Sequence, residues 1–227
     1  MNMKNWLGVA AGAALFAGFG AVNTASAAFV VGTGNPGGGG TENVISNGCT
    51  GTATGPASAV QGCLNSSKDT FVNFASTTDL LSITGGQATL SAADDIINQL
   101  TISAYDNITA AALTFSQLVL DIQWDITPGN PAGALATVTF TADPNSGNGP
   151  YVFNLGQGSN FFNITGEDFS SVSFEVEANG RVVGIELKQV RLGGVSGSTP
   201  VPEPATLALL GAGLLGLGIG RRMLRKA

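Results

Sequence analysis

The groups in this chain with the means for acid–base chemistry are carboxylates. Asp121 and Asp125 lie four residues apart and Glu175 and Glu177 two apart, each pair on one parity of an alternating run. A glycosidase holds two carboxylates about 5–10 Å apart across a cleft. Same-face positions on a strand span such distances, but so does any solvated strand face, and that is how these pairs read. The 227 residues include no histidine and two cysteines. A Ser-His-Asp or Cys-His triad and a His-ligated zinc site are therefore excluded. So are Cys₄ zinc and iron–sulfur sites. No enzyme activity and no cofactor are expected.

A second candidate is the run from Asp143 to Gly149. Asp143 and Asn145 offer oxygen ligands at alternating positions, and the glycines permit a sharp turn, as at the start of a calcium loop. The position for the bidentate Glu is held by Asn154. The same composition is that of an ordinary long turn. Trp124 sits on the apolar parity of its run and reads as core, whereas Tyr105, Tyr151 and Phe161 fall near strand ends and are the surface candidates for stacking on sugars. Asn65, Asn107 and Asn163 each open an N-x-Ser/Thr sequon.

The elements that must carry these groups are strands. Leu118, Leu120, Ile122 and Trp124 alternate with Val119, Asp121, Gln123 and Asp125. Ala136, Val138 and Phe140 alternate with threonines, and Val172, Phe174 and Val176 with serines and glutamates. Period-two alternation puts one face in a core and the other in water. Further short strands are expected over 70–76, 80–84, 87–91, 99–105, 151–155 and 160–165. In 182–192 the apolar parity slips between Leu187 and Val190, which predicts a β-bulge near Lys188 and Gln189. Asn179-Gly180 predicts a tight hairpin between the last two strands. One short helix is an option over 91–100, where Ser91 could cap and Asp94 and Asp95 would favour the N-terminus. The expected fold is all-β, an antiparallel sandwich or jelly roll spanning 69–199 with part of 41–68. Residues 28–68 read as a glycine-rich lead-in.

The two ends differ from this middle. Residues 1–27 read as a secretory signal peptide. Lys4 is the basic flank, an apolar run follows, and Ala25-Ser26-Ala27 supplies the small-x-small pattern, with cleavage before Ala28. Signal peptidase is therefore an expected partner. Export favours a disulfide between Cys49 and Cys63, since neither has a basic neighbour to lower its pKa and make it a reactive thiol. Near the other end, Val201-Pro202-Glu203-Pro204 precedes an uncharged run from Ala205 to Gly220 and then Arg221, Arg222, Arg225 and Lys226. Sixteen helical residues rise about 24 Å, a little short of a hydrocarbon core of about 30 Å, and snorkelling arginines can make up the difference. A single transmembrane helix is expected there, its basic cluster on the cytoplasmic side. Gly211 to Gly216 matches G-x-G-x-x-G, but it lacks the preceding strand and the later acidic residue of a dinucleotide site.

The segment 200–227 resembles the PEP-CTERM sorting signal of Gram-negative bacteria. The likeness rests on Pro202-Glu203-Pro204, the glycine-rich apolar run and the terminal basic cluster, in that order. It implies recognition and cleavage by an exosortase. It also implies an inner-membrane-anchored precursor, and delivery to the cell surface or an extracellular matrix with exopolysaccharide. Val201 to Pro204 would then be recognition residues for another enzyme.

The formal charge of −6 also divides unevenly. Residues 28–200 hold 14 acids and 4 bases, while both ends are basic. An acidic domain has little with which to neutralise phosphates, so nucleic acid is not an expected partner. The expectation is an exported structural or adhesive protein of a polysaccharide or biofilm matrix. A carbohydrate-binding module is the alternative, and a polysaccharide hydrolase or lyase a more distant one.

Overall fold

The computed structural model describes residues 29–37, 39–126, 136–143, 149–179 and 182–197. The expected signal peptide with Ala25, Ala27 and Ala28, the sorting motif Val201–Pro204, the membrane helix and its basic cluster Arg221, Arg222, Arg225 and Lys226 lie outside the described residues. Within them no helix is long and apolar enough to cross a membrane.

The described chain is all-β. Its strands are β1 (Val30–Thr33), β2 (Thr41–Ile45), β3 (Ala59–Leu64), β4 (Thr70–Ala75), β5 (Leu81–Thr84), β6 (Thr89–Ala92) and β7 (Gln99–Asp106). They continue with β8 (Ala112–Ile126), β9 (Ala136–Asp143), β10 (Tyr151–Asn154), β11 (Gly158–Phe169), β12 (Ser171–Ala178), β13 (Val182–Gly193) and β14 (Ser196–Gly197). The region 91–100 holds the end of β6, a turn and the start of β7, with no helix. Asp94 caps that turn by accepting the Ile96 N–H at 3.3 Å.

The strand pairs among the described residues are antiparallel, and they join in the order β1-β11-β8-β13-β2-β3-β4-β7-β12-β9-β10. Two strands each serve two sides. Thr41–Asn43 of β2 pair with β13 while Val44 and Ile45 pair with β3. Leu113 of β8 pairs with Ala104 of β7, while Leu118 to Trp124 pair with β11 and β13. The ladder β8-β13-β2-β3-β4-β7 therefore returns to β8 and closes on itself, which removes the open edges of those six strands. Two wings extend from the ring, β11-β1 from β8 and β12-β9-β10 from β7. They face each other: Phe140 of β9 packs on Phe162 of β11 with ring centroids 4.9 Å apart. Phe140 also meets Phe153 and Phe174, so its ring joins three strands of one wing to the other wing.

The bulge forms where the parity slips. The β13 register against β8 shifts between Lys188 and Arg191, and Gln189 takes φ 51°. Leu187, Val190 and Leu192 are all buried as a result. Among the described residues β12 and β13 do not pair as the expected hairpin, although the Val182 N–H closes a turn on the Asn179 carbonyl at 3.0 Å. Strand β12 has β7 and β9 on its two sides, so β13 joins β8, β2 and β6 instead. Residues 28–68 are more than a lead-in, for they supply β1, β2 and β3. The last two are members of the closed ring.

Strands β1 and β2 lie on opposite sides of β11-β8-β13. The glycine-rich connection between them must cross those three strands. Arg191 donates to Asn35 Oδ1 from the outer parity of β13, which places the crossing on the outer face. Val119 is completely buried on that face, apart from the main core cluster. Short, side-chain-poor residues suit a strap laid close against a sheet.

Candidate functional site

The carboxylate pairs take different environments. Asp121 is 2% exposed, against the expectation of a solvated position. It sits between Phe161 and Lys188 in register and accepts the Ser159 hydroxyl at 2.9 Å on Oδ2, while Oδ1 has no partner. Local parity put it correctly on the outer face. What parity does not report is that this face is itself covered. Asp125 is exposed at the far end of the same face. Glu175 and Glu177 are both exposed on β12, as expected.

Asp143 accepts the Ser170 hydroxyl at 2.9 Å on Oδ2, and its carbonyl takes the Ser170 N–H at 2.7 Å. This ties the end of β9 to the start of β12. Asn145 lies outside the described residues, and no group of three metal-ligating side chains occurs among those described.

Trp124, Tyr151 and Tyr105 form no open platform, and Phe161 is half-buried beside Asp121 in register. Trp124 is in the core, and its indole N–H donates to the Gly156 carbonyl. Tyr151 donates to the Phe29 carbonyl at 2.8 Å. Tyr105 is half-buried edge-on to Phe71. Burial raises its hydroxyl pKa, and a hydrogen bond with Gln61 partly offsets this.

Cys49 and Cys63 form a disulfide with Cα atoms 5.8 Å apart. The crosslink holds the loop after β2 against a satellite cluster of Ile45, Cys63 and Phe71, with Tyr105 at its margin. Phe71 points away from the main core, so without this loop it would face water. The loop also fits β5 closely. Gly55 has φ +94°, and a Cβ there would lie 2.2 Å from the Leu81 carbonyl oxygen.

Asp79 was not visible as a special residue in the sequence. It is 7% exposed and gathers donors from two connections. Ser76 and Thr78 hydroxyls each reach Oδ2 at 3.0 Å. Asn98 donates from its side chain and its backbone, and the Gln99 N–H adds a third contact from across the fold. Its S-T-T-D context is the only local signal, because the remaining partners are about 20 residues away. The arrangement is a structural staple.

A cleft of about 400 Å³ opens where the start of β2 and the end of β13 meet the β3–β4 connection, with Thr41, Glu42, Ser67, Thr70 and Leu192 on its walls. Glu42 is its single carboxylate, and that group accepts the Ser66 N–H at 3.0 Å. A second polar surface is the outer face of β3, β4, β7, β12 and β9. Asn73, Ser103 and Ser171 align there in one cross-strand row, and Thr101, Ser173 and Thr141 in the next. Thr101 and Ser173 hydroxyls are 2.9 Å apart.

No curated protein and no solved structure matches this chain. A family model described as the PEP-CTERM protein-sorting motif matches residues 200–226. The match covers the Pro-Glu-Pro segment, the apolar run and the basic cluster together. The folded domain, built on strands and a disulfide, thus precedes a segment addressed to a processing enzyme. The chain carries the PEP-CTERM sorting motif, which marks it as an exported, exosortase-targeted protein of the surface or the medium.

Proposed function

We propose that this is a non-enzymatic structural or adhesive protein of an extracellular polysaccharide matrix. Residues 1–27 direct export and are removed. The segment 205–220 then holds the precursor in the inner membrane until exosortase acts at the sorting motif. The domain is delivered to the cell surface or matrix of a Gram-negative bacterium. On this reading the ring and its facing wings work as a two-layer β-sandwich of the jelly-roll kind. The observation that carries the proposal is the sorting motif at 200–226.

The domain's chemistry supports a binding or scaffolding role over catalysis. Asp121 is occupied by Ser159, and its pair-mate Asp125 stands in open solvent. The cleft beside β2 holds one carboxylate, whereas glycoside hydrolysis uses two.

The test is to replace Pro202, Glu203 and Pro204 with alanine and fractionate the cells. Proline opposes helix continuation, so the substitution also removes two helix-breaking residues from the motif. The variant should accumulate uncleaved in the membrane fraction, while the parent protein reaches the surface or medium. Release of the variant at the parent's rate would refute processing at this motif.

A further inference from the structure

The outer face of β12 and β9 continues the hydroxyl rows with charge. Glu175 lies beside Thr139 and Glu177 beside Thr137 in register. Strands are about 4.8 Å apart and same-face residues about 7 Å apart. The five strands from β3 to β9 therefore span about 19 Å across their rows, long enough for several sugar units of an extended chain. Serine, threonine and asparagine side chains offer both donors and acceptors, as sugar hydroxyls do. The disulfide loop forms a wall at one side, where the Ala53 N–H bonds to the Gln61 side chain. Both glutamates are exposed at the opposite side, and no Lys or Arg among the described residues lies on these rows.

We propose that this face docks a polysaccharide chain bearing cationic amino sugars. The hydroxyl rows hydrogen-bond along the chain, and Glu175 and Glu177 pair with its ammonium groups. Charge complementarity selects this polymer over an anionic one, which the two carboxylates would repel. The inference rests on the matrix role proposed above and adds the chemistry of the polymer.

The experiment uses the protein as cells export it, applied to beads of chitosan, chitin and alginate. Retention is expected on chitosan at low salt, with release as salt screens the charges. The E175Q/E177Q variant should lose about tenfold in affinity for chitosan. The D69N/D125N variant removes the same charge from exposed sites elsewhere and should stay within about twofold of the parent. Equal losses in the two variants would mean adherence through overall charge and would overturn the proposal. Retention on chitin or alginate matching that on chitosan would overturn it too, as would no retention on chitosan. A variant carrying Thr139→Lys supplies a second check, since it puts a cation on the face and should also abolish retention. A protein that is exported and processed but not retained sinks this inference alone. One that is never exported sinks the matrix role itself, and fractionation separates the two.

Discussion

Asn98 holds both oxygens of the Asp79 carboxylate, its side-chain amide donating to Oδ1 at 2.8 Å and its backbone N–H to Oδ2 at 2.9 Å. The contact joins the β4–β5 connection to the approach to β7. Replacing Asp79 with alanine leaves the buried Ser76 hydroxyl and the part-buried donors of Thr78, Asn98 and Gln99 without this acceptor, so a loss of about 3 kcal/mol is expected in denaturant melts. A loss below about 0.5 kcal/mol, the level of an ordinary surface change, would refute the staple.

The same carboxylate gives the domain an acid dependence. Burial alone would raise its pKa, but bonds from the Asn98 side chain, the Gln99 and Asn98 backbones and Thr78 outweigh burial and hold it below the usual range. A folded pKa below the unfolded one contributes stability that is complete above the unfolded value, about 3.9. That stability drains away as pH falls through the folded value. Asp79→Asn should therefore flatten the stability profile below about pH 4, measured as melting temperature against pH. A profile of unchanged slope would assign the acid sensitivity to other groups.

Removing the crosslink should cost the satellite cluster first. The cysteines are 14 residues apart. Loop-closure entropy for about that length is worth about 3 kcal/mol. Reduction, or the double serine variant, should lower stability by that order and free Tyr105 from Phe71, seen as a change in tyrosine near-UV dichroism. Full stability after reduction would show that the loop holds without its bond.

Gly55 tests the loop's seat independently. Its φ of +94° and the 2.2 Å approach to Leu81 oppose any side chain. Gly55→Ala should destabilise by about 2 kcal/mol or more, while Gly51→Ala, also at positive φ but with open space around it, should cost less. Equal melting temperatures for the two variants would remove the steric argument.

Phe140 bridges the facing wings through Phe162. Truncation to alanine should cost about 3–5 kcal/mol, and hydrogen exchange should quicken in β9 and β11 together. Faster exchange in β9 alone would mean that the wings are held together by other contacts.

Much of this was legible in the residues. The strands β8, β9, β12 and β13 announced themselves through period-two alternation, and even the bulge after Leu187 was written as a parity slip. The strands β2 and β3 were not, because Val44 and Ile45, and Cys63 and Leu64, are buried on successive positions and break the alternation. A strand that turns from one side of the ring to the other, or is covered on its outer face, has no single wet face to record.

What the sequence determined by itself was the address and the class: an acidic β domain ahead of a PEP-CTERM sorting segment, with a disulfide available. These follow from local order and composition, which exosortase and strand pleating both read locally. Tertiary structure alone decided that the ladder closes through β2 and β8, that Asp121 is buried beside Ser159, and that Asp79 meets Asn98. Each depends on which distant strand lies alongside, and strand pairing is a long-range choice that no single stretch of residues encodes.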